Sequence, residues 1–258
     1  MAAAEPTGQE WKELYEAATA FRDAAPWEHM WDMDLFGVRD PESGVMGYCS
    51  IMGRNGEHLA LGVHPGPAGH AGFADTVQAT DRDSRMGYLQ AGLSQTCIMA
   101  SFEDSGELSP RDRQQIKDLG LKFRGANAWS MFRSHEPGWE TWHVTGPQAR
   151  FLTVALQQAQ LVGERYEKEQ AFLRKPLEAG SVFVREKDSA EGGWQDATER
   201  LPERPELTVE PAEHLKKAVP RLPKRKGIIE VTTSFLPAAV KEKEKMRGHY
   251  PRLLLYVD

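Results

Sequence analysis

The chain of 258 residues has little cysteine and no long hydrophobic run. Its longest apolar stub, Leu253-Leu254-Leu255-Tyr256-Val257, falls far short of the roughly 20 residues a membrane-spanning helix needs. The first residues, MAAAEPTGQEWKELY, have neither a basic leader nor an apolar stretch and carry Glu5 and Glu10 instead, so no secretory signal is expected. Cysteine occurs only as Cys49 and Cys97, each inside an apolar run. That placement predicts two buried thiols in a reducing compartment, the cytoplasm, rather than a disulfide. Two thiolates alone do not complete a zinc site. Also missing are a G-x-x-x-x-G-K-[ST] phosphate loop, a G-x-G-x-x-G turn and a G-x-S-x-G elbow. Without them the sequence offers no ground for nucleoside triphosphate hydrolysis, dinucleotide binding or serine-hydrolase chemistry. No cofactor is expected.

What is present reads as a globular protein. An apolar fraction of 40% and a charged fraction of 27% suffice for one large core or two small ones. The net charge of −6 hides a gradient: residues 1–110 sum to −11 and residues 111–258 to +5. The second half can therefore meet an anionic partner, or the two halves can neutralise each other within the fold.

Helices are announced by their caps. Thr7 with Glu10 forms a capping box ahead of Trp11, Leu14, Tyr15, Ala18 and Phe21 at helical spacing, and Pro26 ends that helix. Ser109-Pro110 opens another that Gly120 closes, and Thr145 with Gln148 caps a third whose apolar face runs Phe151, Leu152, Ala155, Ala159, Val162 and Tyr166. Between the first two, DLFGV, VMGYCSIM and HLALGV read as strands joined by Asp40–Gly44 and by Asn55-Gly56. PGPAGHAG reads as a loop, Phe73–Leu93 as one helix, Gln95–Phe102 as a strand, and residues 127–144 as two strands joined at Pro137-Gly138. Val182–Arg185, Ile228–Thr233 and Arg252–Val257 are strand-like, and a proline-rich passage over 187–226 is expected to be mobile. The fold class is thus α+β: an antiparallel β-meander with flanking helices over residues 8–175, then a smaller, mostly β part over 176–258.

Three stretches carry a resemblance: PWEHMWDMDLFGVRDPESGVMGYCSIMG (26–53); MASFEDSGEL (99–108) with LGLKFRGANAWSMFRS (119–134); and TGPQARFLTVALQQA (145–159). Together, over roughly residues 10–165, the chain resembles a bacterial family known only as a domain of unknown function. The resemblance implies a cytoplasmic α+β protein without an assigned activity and supplies no functional residues. In longer relatives a second domain tends to follow, which is largely missing from this length.

Four constellations could carry chemistry. Trp27 to Glu42 gathers Glu28, Asp32, Asp34, Asp40 and Glu42 beside Trp27 and Trp31. With Asp104, which follows a strand, Asp32 and Asp34 could hold Mg²⁺ or Mn²⁺ for a metal-dependent hydrolase. The plainer reading makes Asp40 a turn residue and the two tryptophans core anchors. The histidines are a weak set. His58, His64 and His70 are spaced by six with the latter two in the expected loop, and His135 could face His143 across a hairpin. The third constellation, Lys122 to Arg133, interleaves Lys122, Arg124 and Arg133 with Phe123, Trp129 and Phe132 around Gly125 and Asn127. Guanidinium forks and stacking rings suit a phosphate-bearing or nucleic-acid ligand. The fourth is the basic run HLKKAVPRLPKRK over 214–226, which attracts anionic surfaces without specificity.

The leading expectation is a binding or interaction module without catalysis, its partner a protein or a small ligand. The expected contacts are Arg124, Asn127, Trp129, Arg133, Trp139 and Trp142. The hydrolase through Asp32, Asp34 and Asp104 is one rival. Nucleic-acid or phosphate-ligand binding through Arg124, Arg133 and the 216–226 run is the other, opposed by net charge. No membrane partner is expected.

Overall fold

A computed structural model describes residues 4–81, 85–188, 192–205, 210, 212–218, 220, 230–243 and 246–257. Helix α1 (Gly8–Ala24) starts on the foreseen capping box: Thr7 Oγ1 accepts from Glu10 N, and Glu10 Oε2 accepts from Thr7 N. Ala25, left-handed at φ 44°, ends it and Pro26 opens a single 3₁₀ turn. Strands β1 (Phe36–Arg39), β2 (Met46–Met52) and β3 (Ala60–Pro65) follow as the expected meander. Asp40 makes its turn by accepting bonds from the backbone of Glu42 and Ser43.

Downstream lie α2 (Gly66–Asp81), α3 (Arg85–Ser94), β4 (Cys97–Glu103), α4 (Pro110–Asp118), β5 (Trp129–His135), α5 (Gly146–Lys168), α6 (Ala171–Glu178), β6 (Ser181–Lys187) and β7 (Trp194–Arg200). The short α7 (Glu213–Ala218) and the strands β8 (Glu230–Phe235) and β9 (Arg252–Val257) complete the described elements. One seven-stranded sheet runs β5-β4-β3-β2-β1-β6-β7; only the β1–β6 pair in it is parallel. β8 and β9 form a separate antiparallel pair. The class is α+β.

The sheet is covered on both faces because successive side chains of a strand point opposite ways. Gly47 faces α5: a Cβ there would lie 2.6 Å from the Phe151 ring. Its neighbour Tyr48 points the other way, its ring 4.9 Å from His70 on α2. The main core lies on the α1/α5 side, where all six apolar α5 residues foreseen are buried. A smaller cluster of Leu35, Met46, Tyr48, Val182 and Val184 fills the opposite side.

The structure departs from expectation in four places. PGPAGHAG is not a loop, because α2 begins at Gly66. Pro67 sits in the first turn, where a missing N–H costs nothing, and Gly69 is a contact residue: a Cβ there would come within 2.6 Å of the His64 carbonyl carbon. The expected helix 73–93 is two helices, α2 and α3. The second strand of 127–144 shrinks to one bridge, Ser134 to Trp142, since Trp139 turns away to bridge His249. Strand β7 falls inside the proline-rich stretch, where the sequence marks no strand. It pairs with β6 along its whole length.

Candidate functional site

Most of the candidate acids are already engaged. Asp34 is buried; its Oδ2 accepts from Trp31 N at 2.8 Å and from the Tyr166 hydroxyl at 2.7 Å, with Arg174 Nε 3.6 Å from Oδ1. Asp32 is exposed and offers its backbone carbonyl to Ser50. Asp104 accepts from Asn127 N at 2.9 Å. Glu42 accepts from Nε and Nη2 of Arg150, whose Nη1 bonds Glu10. Among the described residues no three histidine, cysteine, aspartate or glutamate side chains form a group fit to hold a metal. Asp32, Asp34 and Asp104 are thus not brought together. Trp27 is a core anchor as expected, whereas Trp31 is 43% exposed under the Arg54 guanidinium, 4.4 Å from its ring centre.

The histidines sit elsewhere than expected. His64 belongs to β3 and His70 to α2. Antiparallel register from the Ser134–Trp142 bridge sets His143 opposite Arg133, not opposite His135. His58 lies 3.9 Å from Glu103, and His143 3.9 Å from Asp112. Both cysteines are free and buried, and burial raises both thiols far above their ordinary range.

Arg133 is an internal strut. Its two Nη atoms reach the two Asp112 oxygens at 2.9 and 2.5 Å, and both side chains are nearly enclosed. Asp112 also closes the α4 capping box with Ser109. Burial tends to raise the Asp112 carboxyl, but the bonds from Arg133 and Ser109 outweigh it and hold the group below the usual carboxylate range. Trp139 and Trp142 are exposed near the His135 end of β5, Trp142 beside Ser134. Trp129 opens that strand, about 20 Å away at the rise of an extended chain. Of the basic run 214–226, only His214–Ala218 and Pro220 lie within the described residues; there Lys216 pairs with Glu213.

Of the remaining candidates Arg124, Asn127 and Trp129, Arg124 and Trp129 line one feature, an open groove of about 720 Å³ between α4 and the start of β5. Its construction follows from the end of α4. Gly120, at φ +67°, lets the chain double back: its N–H bonds Lys117 O and the Leu121 N–H bonds Ile116 O, both at 3.0 Å. This 6→1 and 5→2 pairing normally brings an apolar residue after the helix over one in its last turn, here Leu121 and Ile116. Both line the groove floor. Beyond them Phe123 meets Trp129 edge-on at 5.8 Å and leans on Tyr15 of α1 at 5.9 Å. Gly125 at φ +110° and Asn127 at φ 51° make the turn into β5, and the Asn127–Asp104 bond pins it. Asn127 is thus a turn residue beside the groove rather than part of its lining.

The rim is cationic. Arg113 and Lys117 stand four residues apart, on one face of α4. Lys122 and Arg124 project from the facing segment. Arg113 is tied to the carbonyls of Leu108 and Ser105. Lys117, Lys122 and Arg124 have no ion pair among the described residues, and no carboxylate lines the groove. Reading the sequence missed Arg113, Ile116, Lys117 and Leu121. The signal available was the i, i+4 cation pair ending on Gly120.

A second, smaller cleft of about 310 Å³ lies between α2, α3 and β8. There the Gln90 amide imitates a strand, bonding both the N–H and the carbonyl of Phe235, while Arg252 covers the Phe235 ring at 4.5 Å.

Fold and site together define an α+β protein that carries an apolar groove with a cationic rim. The chain belongs to the family described as a domain of unknown function, DUF7309, whose model matches residues 11–185. No curated protein and no solved structure matches it. No described helix is long and apolar enough to cross a membrane.

Proposed function

We propose that the protein is a non-catalytic binding module of a bacterial cytoplasm, and that the α4–β5 groove takes a ligand combining negative charge with an apolar group. One observation carries this reading: three cations without an ion pair among the described residues, Lys117, Lys122 and Arg124, rim a floor of Ile116, Leu121, Phe123 and Trp129 with no acid in the lining. Several other arginines are spent inside the molecule, as Arg133 is on Asp112 and Arg39 is on Glu186 and Glu199. Cations left without partners around apolar surface attract an anion and then hold its apolar part out of water. The buried free thiols fit a reducing compartment. A long polyanion such as nucleic acid meets the net charge of −6 over its length, whereas a short ligand meets mainly the groove's own cations. Arg133, Trp139 and Trp142 play no part in this groove.

Anilinonaphthalene sulfonate, an aromatic anion, is a direct probe. Its fluorescence on titration should show saturable binding that weakens roughly tenfold or more in the double variant Lys122→Glu, Arg124→Glu, about 1.4 kcal/mol for each factor of ten. Binding unchanged by the charge reversal would reject the groove as the site.

A further inference from the structure

We infer that the groove's ligand is an extended acidic peptide that adds as a strand along residues 121–124; this deepens the reading above and rests on it. Side-chain burial alternates along that segment: Leu121 and Phe123 are half-buried, Lys122 and Arg124 exposed. A period of two is the signature of extended chain. Yet the segment belongs to no sheet. Leu121 N is used in closing α4, and no backbone hydrogen bond engages Lys122, Phe123 or Arg124 among the described residues. Backbone groups shut away from water must find protein partners, whereas those of an exposed extended segment stay open to a ligand, and a run of open ones beside an apolar floor offers a peptide the same main-chain pairing that strand addition uses at a sheet edge.

The side chains set the partner's character. A strand laid beside 121–124 turns alternate residues toward the floor of Ile116, Phe123 and Trp129 and the others toward the cationic rim. Apolar side chains alternating with carboxylates match both. The cations come in two pairs, Arg113/Lys117 from the helix and Lys122/Arg124 from the segment, so acids at several successive outward positions find a counter-charge. A volume of about 720 Å³ accommodates a few residues of chain, within the range of ordinary ligand sites. A nucleotide would use the same cations but leave the open backbone unpaired.

The test uses the full chain and a fluorescently labelled synthetic heptapeptide alternating glutamate with leucine, followed by anisotropy. Two isomers of the peptide carry N-methyl groups on alternate amides, one on the odd set and one on the even set. In a strand, alternate N–H groups face the pairing edge, so one isomer should lose at least tenfold in affinity while the other stays within about threefold of the parent. Lys122→Glu with Arg124→Glu should weaken the parent by a similar factor. Equal affinity of both isomers, or equal loss, would overturn strand addition. So would displacement of the peptide by single-stranded oligothymidylate at lower concentration than by unlabelled peptide. Failure of the peptide to bind while anilinonaphthalene sulfonate still binds in a Lys122-dependent way overturns the peptide and leaves the groove standing. Failure of the dye as well removes the groove reading itself.

Discussion

Asp112 shows how a charge that looks available in sequence is committed in the fold. Arg133 follows Phe132 and reads as a ligand contact, but twenty-one positions earlier Asp112 waits behind a helix cap to take both of its Nη atoms. Breaking a nearly enclosed pair leaves a buried charge uncompensated, so Arg133→Ala should destabilise by about 3 kcal/mol in urea unfolding at neutral pH. The sign of the pH effect follows from the depressed Asp112 carboxyl. Its contribution is complete above the unfolded carboxylate pKa of about 4 and disappears as pH falls through the lower folded value. The wild type should therefore lose this increment in strong acid, and the difference between wild type and Arg133→Ala should narrow there. Gly47 gives a second residue-scale outcome. A methyl group at that position would sit 2.6 Å from both Phe151 and Val63, so Gly47→Ala should cost about 1–3 kcal/mol by overpacking, visible as a lower denaturation midpoint.

At the scale of elements, the sequence was legible wherever one local interaction decides the outcome. Thr7 with Glu10, Ser109 with Pro110 and the apolar stripe of α5 were read correctly because caps and periodicity act within a few residues. PGPAGHAG was misread because only Gly66, at φ +64°, uses glycine's conformational freedom, whereas Gly69 serves packing. Gly69 is small so that α2 can approach β3, a tertiary reason with no local mark. β7 escaped notice because Trp194 and Ala197 among Gln195, Asp196, Thr198, Glu199 and Arg200 show little apolar alternation; pairing with β6 settles its state. The groove was half legible. Lys122 to Trp129 stood out, while its α4 wall depends on a backbone reversal at Gly120. Replacing Gly120 by alanine puts a side chain into left-handed backbone at a cost of about 1 kcal/mol. Because Leu121 is placed by that turn, Gly120→Ala should also weaken anilinonaphthalene sulfonate binding several-fold, a coupling that a substitution in α6 would not show.

Over the whole molecule, the charge gradient resolves largely inward: Arg150 reaches back to Glu10 and Glu42, and Arg204 to Asp75. At the groove, Lys117, Lys122 and Arg124 keep no ion pair among the described residues. Burial also makes the protein acid-sensitive before its carboxylates titrate. His64 and His135 are both pushed down from 6.5 to about 4, chiefly by desolvation, and the buried His64 Nδ1 has no hydrogen-bond partner. Groups whose folded pKa is depressed stabilise fully above the unfolded value and lose that contribution as pH falls, here between about 6.5 and 4. Thermal midpoints should decline across that window, and His64→Leu should flatten the decline.

Amide hydrogen exchange, resolved by residue with and without saturating anilinonaphthalene sulfonate, tests the central claim most directly. The account predicts slowed exchange from Arg113 to Trp129 and little change around Trp139, Trp142 or the β8–β9 pair. Slowing confined to the cleft beside Gln90 and Phe235, with residues 113–129 unaffected, would contradict it.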